Sequence, residues 1–168
     1  METIDSEQKP AAPGRSRQFI GLALWLAICY GIAALGGYLT SQGLGPYYQT
    51  LAKPDWTPPG YVIGIIWQVL YGLMAVSALL VWRRTGWRHP AIALFLVQLL
   101  LNLGWSYVFF VMKCPENAFY ELCVLWVSIL ATAILFWPVS RIAAALLIPY
   151  LAWVAFAGFL NYTIWQMN

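Results

Sequence analysis

Apolar residues run in long, nearly uncharged blocks, and the polar residues between them fall into a few short groups. Crossing a bilayer as a helix takes about 20 apolar residues, and five blocks are long enough: residues 19–40, 61–81, 91–112, 118–136 and 142–165. The pattern predicts an all-α integral membrane protein, a bundle of five transmembrane helices.

The separators carry helix breakers or charge: residues 41–59, "WRRTGWRHP" at 82–90, "KCPEN" at 113–117 and "PVSR" at 138–141. The last two are short enough to make spans 3, 4 and 5 antiparallel neighbours. Only the 41–59 segment is long enough to have structure of its own. Residues 1–18, "METIDSEQKPAAPGRSRQ", are polar with proline and glycine, and a disordered tail is expected there, ahead of a membrane domain at 19–168. The basic pair before the first apolar block resembles a signal peptide. The block is longer than a usual signal core and lacks a small-x-small cleavage site, so a retained first span is expected.

Composition sharpens this reading. Of the 168 residues, 62% are hydrophobic and 9% charged, against about half and a quarter in soluble domains; the mean hydropathy is +0.70. The net charge of +3 comes with no Lys/Arg cluster, which argues against nucleic-acid binding. Cytoplasmic loops retain Lys and Arg. With the N-terminus inside, Lys9, Arg15, Arg17, Arg83, Arg84, Arg88 and Arg141 share the cytoplasmic side, leaving Lys53 and Lys113 opposite. A multi-pass protein with a cytoplasmic N-terminus is therefore expected, and its first loop lies outside.

Little in the chain supports acid–base or metal chemistry. Cys29, Cys114 and Cys123 match no zinc or disulfide framework, and Cys29 reads as a small hydrophobe inside a span. His89 is the only histidine, which excludes a multi-histidine metal site within one chain. Asp55 and Glu116 lie in separate loops and Glu121 begins span 4, so no carboxylate pair is formed in sequence. No cofactor is required by any motif.

Polar and small residues inside a membrane helix mark its protein-facing side. Ala23, Ala27 and Gly31 form a small-residue stripe in span 1, suited to close helix contact within the bundle or between protomers. Gly64, Trp67, Tyr71, Met74 and Ala78 share one face of span 2. Gln98, Asn102, Trp105, Ser106 and Phe109 share one face of span 3. Pro149, Trp153, Phe156, Ala157, Leu160 and Asn161 do so in span 5. The two amides, Gln98 and Asn102, either bond neighbouring helices or line a cavity between aromatic walls. Ten tryptophans exceed what interfacial belts need. Trp25, Trp82, Trp87 and Trp137 suit a belt, whereas Trp67 and Trp153 lie too deep for one. Inward aromatics with amides between them suit a slot for a flat apolar ligand, held by stacking and oriented by Asn and Gln.

Three long motifs in order carry a resemblance. "KPDWTPPG" (53–60) with "IGIIWQVLYGLMA" (63–75), then "QLLLNLGWSYVFF" (98–110), then "LLIPYLAWVAFAGFLNYTIWQMN" (146–168) resemble the tryptophan-rich sensory protein family. That is the TspO/MBR family, which includes the mitochondrial translocator protein, or peripheral benzodiazepine receptor. The resemblance spans about residues 20–168. It implies a five-helix bundle, usually a homodimer, that binds porphyrins and related tetrapyrroles among its helices beneath the first loop. Some members also bind isoquinoline- or benzodiazepine-type ligands or sterols.

Carried over by motif position, the ligand-binding residues implied are Tyr48, Trp56, Pro58, Trp67, Tyr71, Asn102, Trp105, Ser106, Phe109, Trp153 and Ala157, with Pro59 beside Pro58 in the lid. A membrane sensor that binds porphyrin as ligand and regulates its level is the implied function. Light-dependent porphyrin breakdown, with Trp67 and Trp153 as catalytic redox participants, is the alternative, and a porphyrin or sterol transporter is the third. Two departures bear on this. The sterol motif of animal members needs a cation after the last-span tyrosine, and none follows Tyr162, which argues against sterol binding through it. Where some bacterial members have Trp-Tyr in the first loop, this chain has Tyr47-Tyr48.

Overall fold

The computed structural model describes residues 15–168; the first fourteen residues of the expected tail lie outside them, and residues 15–18 already belong to the first helix. The described residues form α1 (Arg15–Gly43), α2 (Pro46–Thr50), α3 (Gly60–Thr85), α4 (Pro90–Ser106), α5 (Pro115–Phe136), α6 (Arg141–Leu146) and α7 (Ile148–Met167). A π-helical turn, Tyr107–Val111, continues α4. Five spans long and apolar enough to cross a membrane result: Gln18–Gly43, Gly60–Thr85, Pro90–Val111, Pro115–Phe136 and Arg141–Met167.

Local sequence explains where the helices start and stop. Pro90, Pro115 and Pro149 occupy first-turn positions, where a missing N–H costs nothing. His89, the only histidine of the chain, caps α4: its Nδ1 accepts from the Ala91 amide at 3.2 Å. Ser140 caps α6 through a bond from the Ala143 amide at 3.3 Å. Gly86 ends α3 at φ 76°, a left-handed position that strains any side-chain-bearing residue. The fifth span, expected as one helix, breaks at Leu147, because Pro149 cannot donate to the preceding turn and its ring crowds it. The first loop does have structure of its own, the single turn of α2.

In a bilayer, apolar contact between helices gains no transfer energy, so close packing and interhelical hydrogen bonds hold the bundle. α1 packs against α3 and α4, α5 against α4 and α7, and α3 against α6. Tyr30 on α1 donates to the Gln68 carbonyl on α3 at 2.9 Å. Ser77 on α3 donates to the Ala143 carbonyl on α6 at 2.7 Å. The Arg84 guanidinium donates to the Val139 carbonyl, which brings the α3–α4 and α5–α6 connections to one end of the bundle.

The main core gathers Trp25, Met74, Ile92, Phe95, Phe136 and Tyr150, all fully buried. Trp25 therefore does not belong to an interfacial belt. Its ring stacks on Trp87 at 5.2 Å and meets the edge of Phe95 at 5.6 Å. Trp82 joins the same cluster through Trp87 at 5.4 Å. Trp137 is exposed beside Arg141, as a belt residue should be. A smaller cluster forms under the first loop from Phe109, Phe110, Ala118, Leu160 and Ile164, with Tyr47, Tyr48 and Leu51 against it.

Candidate functional site

A cavity of about 400 Å³ lies among α1, α3, α4 and α7, below the first loop. Each wall follows from helical spacing. From α3, Gly60, Gly64, Trp67 and Tyr71 recur every three or four residues and face inward. Met74 and Ala78, the next members of that stripe, are fully buried below the cavity. From α4 come Asn102, Trp105 and Ser106, and the π-helical turn adds Phe109 and Phe110. The wider π turn lets two consecutive phenylalanines line the same space. From α7 come Trp153, Phe156, Ala157 and Leu160.

Tyr71, Asn102, Trp105 and Asn161 at the cavity are held in two hydrogen-bonded chains. The Tyr71 hydroxyl donates to Asn102 Oδ1 at 2.5 Å, and Asn102 Nδ2 donates to the Tyr150 hydroxyl at 3.0 Å. Three helices are thereby tied across the cavity floor. The Trp105 indole N–H donates to Asn161 Oδ1 at 3.1 Å, and Asn161 Nδ2 donates to the Pro115 carbonyl at 2.7 Å. Asn102 thus does both jobs that its sequence position allowed: it bonds neighbouring helices and it lines the cavity. Gln98 does not reach the cavity. One turn deeper and buried, it sets Nε2 4.0 Å from the Met74 sulfur, and its Oε1 has no hydrogen-bond partner.

The first loop covers one end of the cavity. Tyr48 lines it from α2, with its ring at 6.4 Å from Phe109 and 5.9 Å from Phe110. Burial raises the Tyr48 phenol above its ordinary pKa. Lys53 stiffens the loop from within. Its ammonium donates to the Tyr48 and Leu51 carbonyls at 2.7 and 2.8 Å and sits 4.7 Å over the Tyr48 ring. Asn168 fastens the loop to α7: its side chain accepts from the Ala52 amide at 2.9 Å and donates to the Ala52 carbonyl at 3.0 Å.

Nine of the eleven expected binding residues line this cavity: Tyr48, Trp67, Tyr71, Asn102, Trp105, Ser106, Phe109, Trp153 and Ala157. Trp56 and Pro58 are not among the lining residues; they lie in the first loop, and the Trp56 ring meets the edge of the lining Phe156 at 5.9 Å. Trp56 is 44% exposed and stacks on Phe159 at 5.3 Å and 14°, which pins the loop to α7. Pro58 precedes Pro59, the N-terminal flank of α3, and stiffens the approach to that helix. Among the described residues no group of three His, Cys, Asp or Glu could hold a metal ion.

This geometry can be set beside known proteins. The sequence profile of the TspO/MBR family matches residues 25–166. The chain belongs to the TspO/MBR family. It is 39% identical to the tryptophan-rich protein TspO of Chlorobaculum tepidum over 91% of this chain and 99% of that one. It is 32% identical to protein CrtK of Rhodobacter capsulatus, over 87% and 91% of the two chains. To the human translocator protein it is 38% identical, over 78% and 79%. The resemblance carried by the three motifs is thus confirmed, and with it a membrane protein of five spans.

Sequence reasoning missed the α1 wall of this TspO/MBR chain. Ala33, Gly36, Gly37 and Thr40 line the cavity, whereas the stripe read from sequence, Ala23, Ala27 and Gly31, is exposed on the outside of the bundle. The available signal was the Gly36-Gly37 pair near the end of the span. Two glycines there leave room that a side chain would fill.

Proposed function

We propose that this TspO/MBR protein is a membrane receptor that binds tetrapyrroles, with protoporphyrin IX as the type ligand, in the cavity beneath its first loop. The observation that carries the reading is the cavity itself. Three indoles, Trp67, Trp105 and Trp153, face one space together with Tyr48 and Phe109, and small residues on α1 leave the opposite side open. Stacking on flat rings is what such walls offer. No cofactor is needed for binding alone, and the ligand enters as a signal whose level the protein regulates. Isoquinoline- or benzodiazepine-type ligands suit the same walls. The same proposal includes a homodimer in the bilayer and a cytoplasmic N-terminus. The orientation is supported by Arg83, Arg84, Arg88 and Arg141 gathering at the bundle end away from the cavity loop.

Titrating protoporphyrin IX while following tryptophan fluorescence tests the reading. Saturable quenching is expected, and it should weaken in Trp67→Phe and Trp153→Phe. Unchanged quenching and affinity in both variants would refute the slot.

A second reading, light-driven porphyrin breakdown, is favoured by one observation: Trp153 lines the cavity with a buried indole N–H that has no hydrogen-bond partner. Its test is the rate at which the porphyrin Soret band fades under illumination. Fading no faster than in empty nanodiscs would remove this reading while leaving the receptor in place.

A further inference from the structure

Charge is shared unequally between the two ends of the bundle. Asp55 lies in the first loop, and Glu116 and Glu121 fall in the first two turns of α5. That start of α5 is at the first-loop end, where Ala118 packs in one cluster with Tyr47, Tyr48 and Leu51. No other described residue is acidic. At the opposite end α3 stops and α4 begins, and α5 stops and α6 begins. Arg83, Arg84, Arg88 and Arg141 stand there, all exposed. α1 starts at this end too, since a Cβ on Gly21 would lie 2.7 Å from the Trp82 ring. Its first turn holds Arg15 and Arg17.

A count of cations is enough to orient a membrane protein, but these four are also arranged. The Arg84 guanidinium donates to the Val139 carbonyl. Arg141, two residues further along the chain, sits 5.8 Å over the Trp137 ring. One guanidinium from α3 and one from α6 therefore meet the same short connection, residues 137–140. A guanidinium carries five N–H donors in a planar fork that matches a phosphate, and the Val139 contact leaves most of those on Arg84 unused. Arg83 and Arg88 make no side-chain hydrogen bond or ion pair among the described residues. Beside these cations Trp87 and Trp137 are about half exposed, as indoles at headgroup depth are. Ile142, next to Arg141, is exposed and apolar.

We propose that Arg84 and Arg141, with Arg83 and Arg88 beside them, form a headgroup site for anionic glycerophospholipids at this end of the bundle. The lipid phosphate takes the guanidinium donors that no protein acceptor holds, and no described carboxylate competes for them. Basic groups gathered between helices at a membrane face are the chemistry that recognises such headgroups. The occupant is a lipid and not a free phosphate because the cations stand where the apolar spans end, with Ile142 and Trp137 beside them to meet the acyl chains. In the orientation proposed above, the lipid comes from the inner leaflet. The site lies at the far end of the bundle from the cavity, so it stands or falls independently of what the cavity binds.

The experiment follows the melting temperature of the full-length protein in neutral detergent as dioleoyl phosphatidylglycerol or dioleoyl phosphatidylcholine is added. The two lipids share their acyl chains, and a lipid that binds the folded state raises the melting temperature. Phosphatidylglycerol should act at a concentration lower by roughly tenfold or more. Arg88→Gln and Arg141→Gln should each reduce that preference by about fivefold, and Arg84→Gln combined with Arg141→Gln should abolish it. Arg88 has no partner within the protein, so a loss in Arg88→Gln at an unchanged melting temperature without lipid reports the site and not the fold. Lys113→Gln, at the first-loop end, should leave the preference as it is. Equal action of the two lipids would overturn the inference, as would a preference unchanged in both Arg88→Gln and Arg141→Gln. An equal loss in Lys113→Gln would assign the preference to net charge and overturn the site. Glycerophosphoglycerol, the same headgroup without chains, should have no effect at these concentrations; an equal shift with it would make this a site for free phosphate esters and overturn the lipid assignment.

Discussion

The hydroxyl of Tyr71 on α3 donates to the side-chain oxygen of Asn102 on α4 at 2.5 Å, and the same amide donates onward to Tyr150 on α7 at 3.0 Å. One asparagine therefore ties three spans where the cavity meets the packed core. Asn102→Ala leaves two buried phenols without their partner. Interhelical hydrogen bonds in membranes average well under 2 kcal/mol each, and an orphaned buried polar group adds to the loss. A loss of roughly 1–3 kcal/mol of stability is expected for Asn102→Ala. Tyr71→Phe removes one bond and should cost less, about 1 kcal/mol. Thermal or denaturant unfolding in detergent checks the order.

The end of α1 is set by a close approach. A Cβ on Gly43 would lie 2.5 Å from the Phe110 carbonyl oxygen and 2.9 Å from its Cα, both backbone atoms that cannot rotate away. Gly43→Ala should therefore destabilise by about 1–3 kcal/mol, as overpacking does. Gly31→Ala is the control. Nothing lies within 4 Å of a Cβ there, and alanine favours a helix over glycine. An unchanged or slightly higher melting temperature is expected for the control, and a clear drop for Gly43→Ala.

Release of the loop is the third expectation. Asn168 holds Ala52 in both directions, and Lys53 holds the loop to itself. Each hydrogen bond contributes on the order of 1 kcal/mol. Asn168→Ala should therefore speed ligand dissociation several-fold with little change in association, since related complexes differ mainly in off-rate. Hydrogen exchange at the Ala52 amide should rise in parallel. Exchange that stays as slow as in the parent would show that the latch does not hold the loop.

Much of this was legible in the sequence because membrane helices report their orientation plainly. An amide or a deep tryptophan in an apolar span has few places to go, and Asn102, Trp67 and Trp153 were read correctly as interior. Depth along the helix axis was harder to read. Gln98 has the same residue chemistry and faces the same way as Asn102, yet one turn separates a packed position from a cavity wall. Position in a loop was harder still. The sequence does not say which rings Trp56 meets, and the structure sets it against Phe156 and Phe159 of α7. The α1 wall was missed for a physical reason as well: Gly36 and Gly37 contribute by lacking side chains. Trp25 looked like a belt residue by its distance from the helix start, whereas its contacts are with Trp87 and Phe95 from distant parts of the chain.

The central claim is that a flat ligand occupies the space between α1, α3, α4 and α7, and filling that space tests it most directly. Gly64 lies in the middle of the α3 wall, and nothing stands within 4 Å of a Cβ built on it. A Cβ at this position meets open space, so a large side chain there is expected to occupy the cavity. The measurement is the dissociation constant for a tetrapyrrole in Gly64→Phe against the parent protein, with melting temperature as the fold check. A loss of affinity of tenfold or more at unchanged stability is the expected result. Unchanged affinity in a folded Gly64→Phe protein would contradict the account.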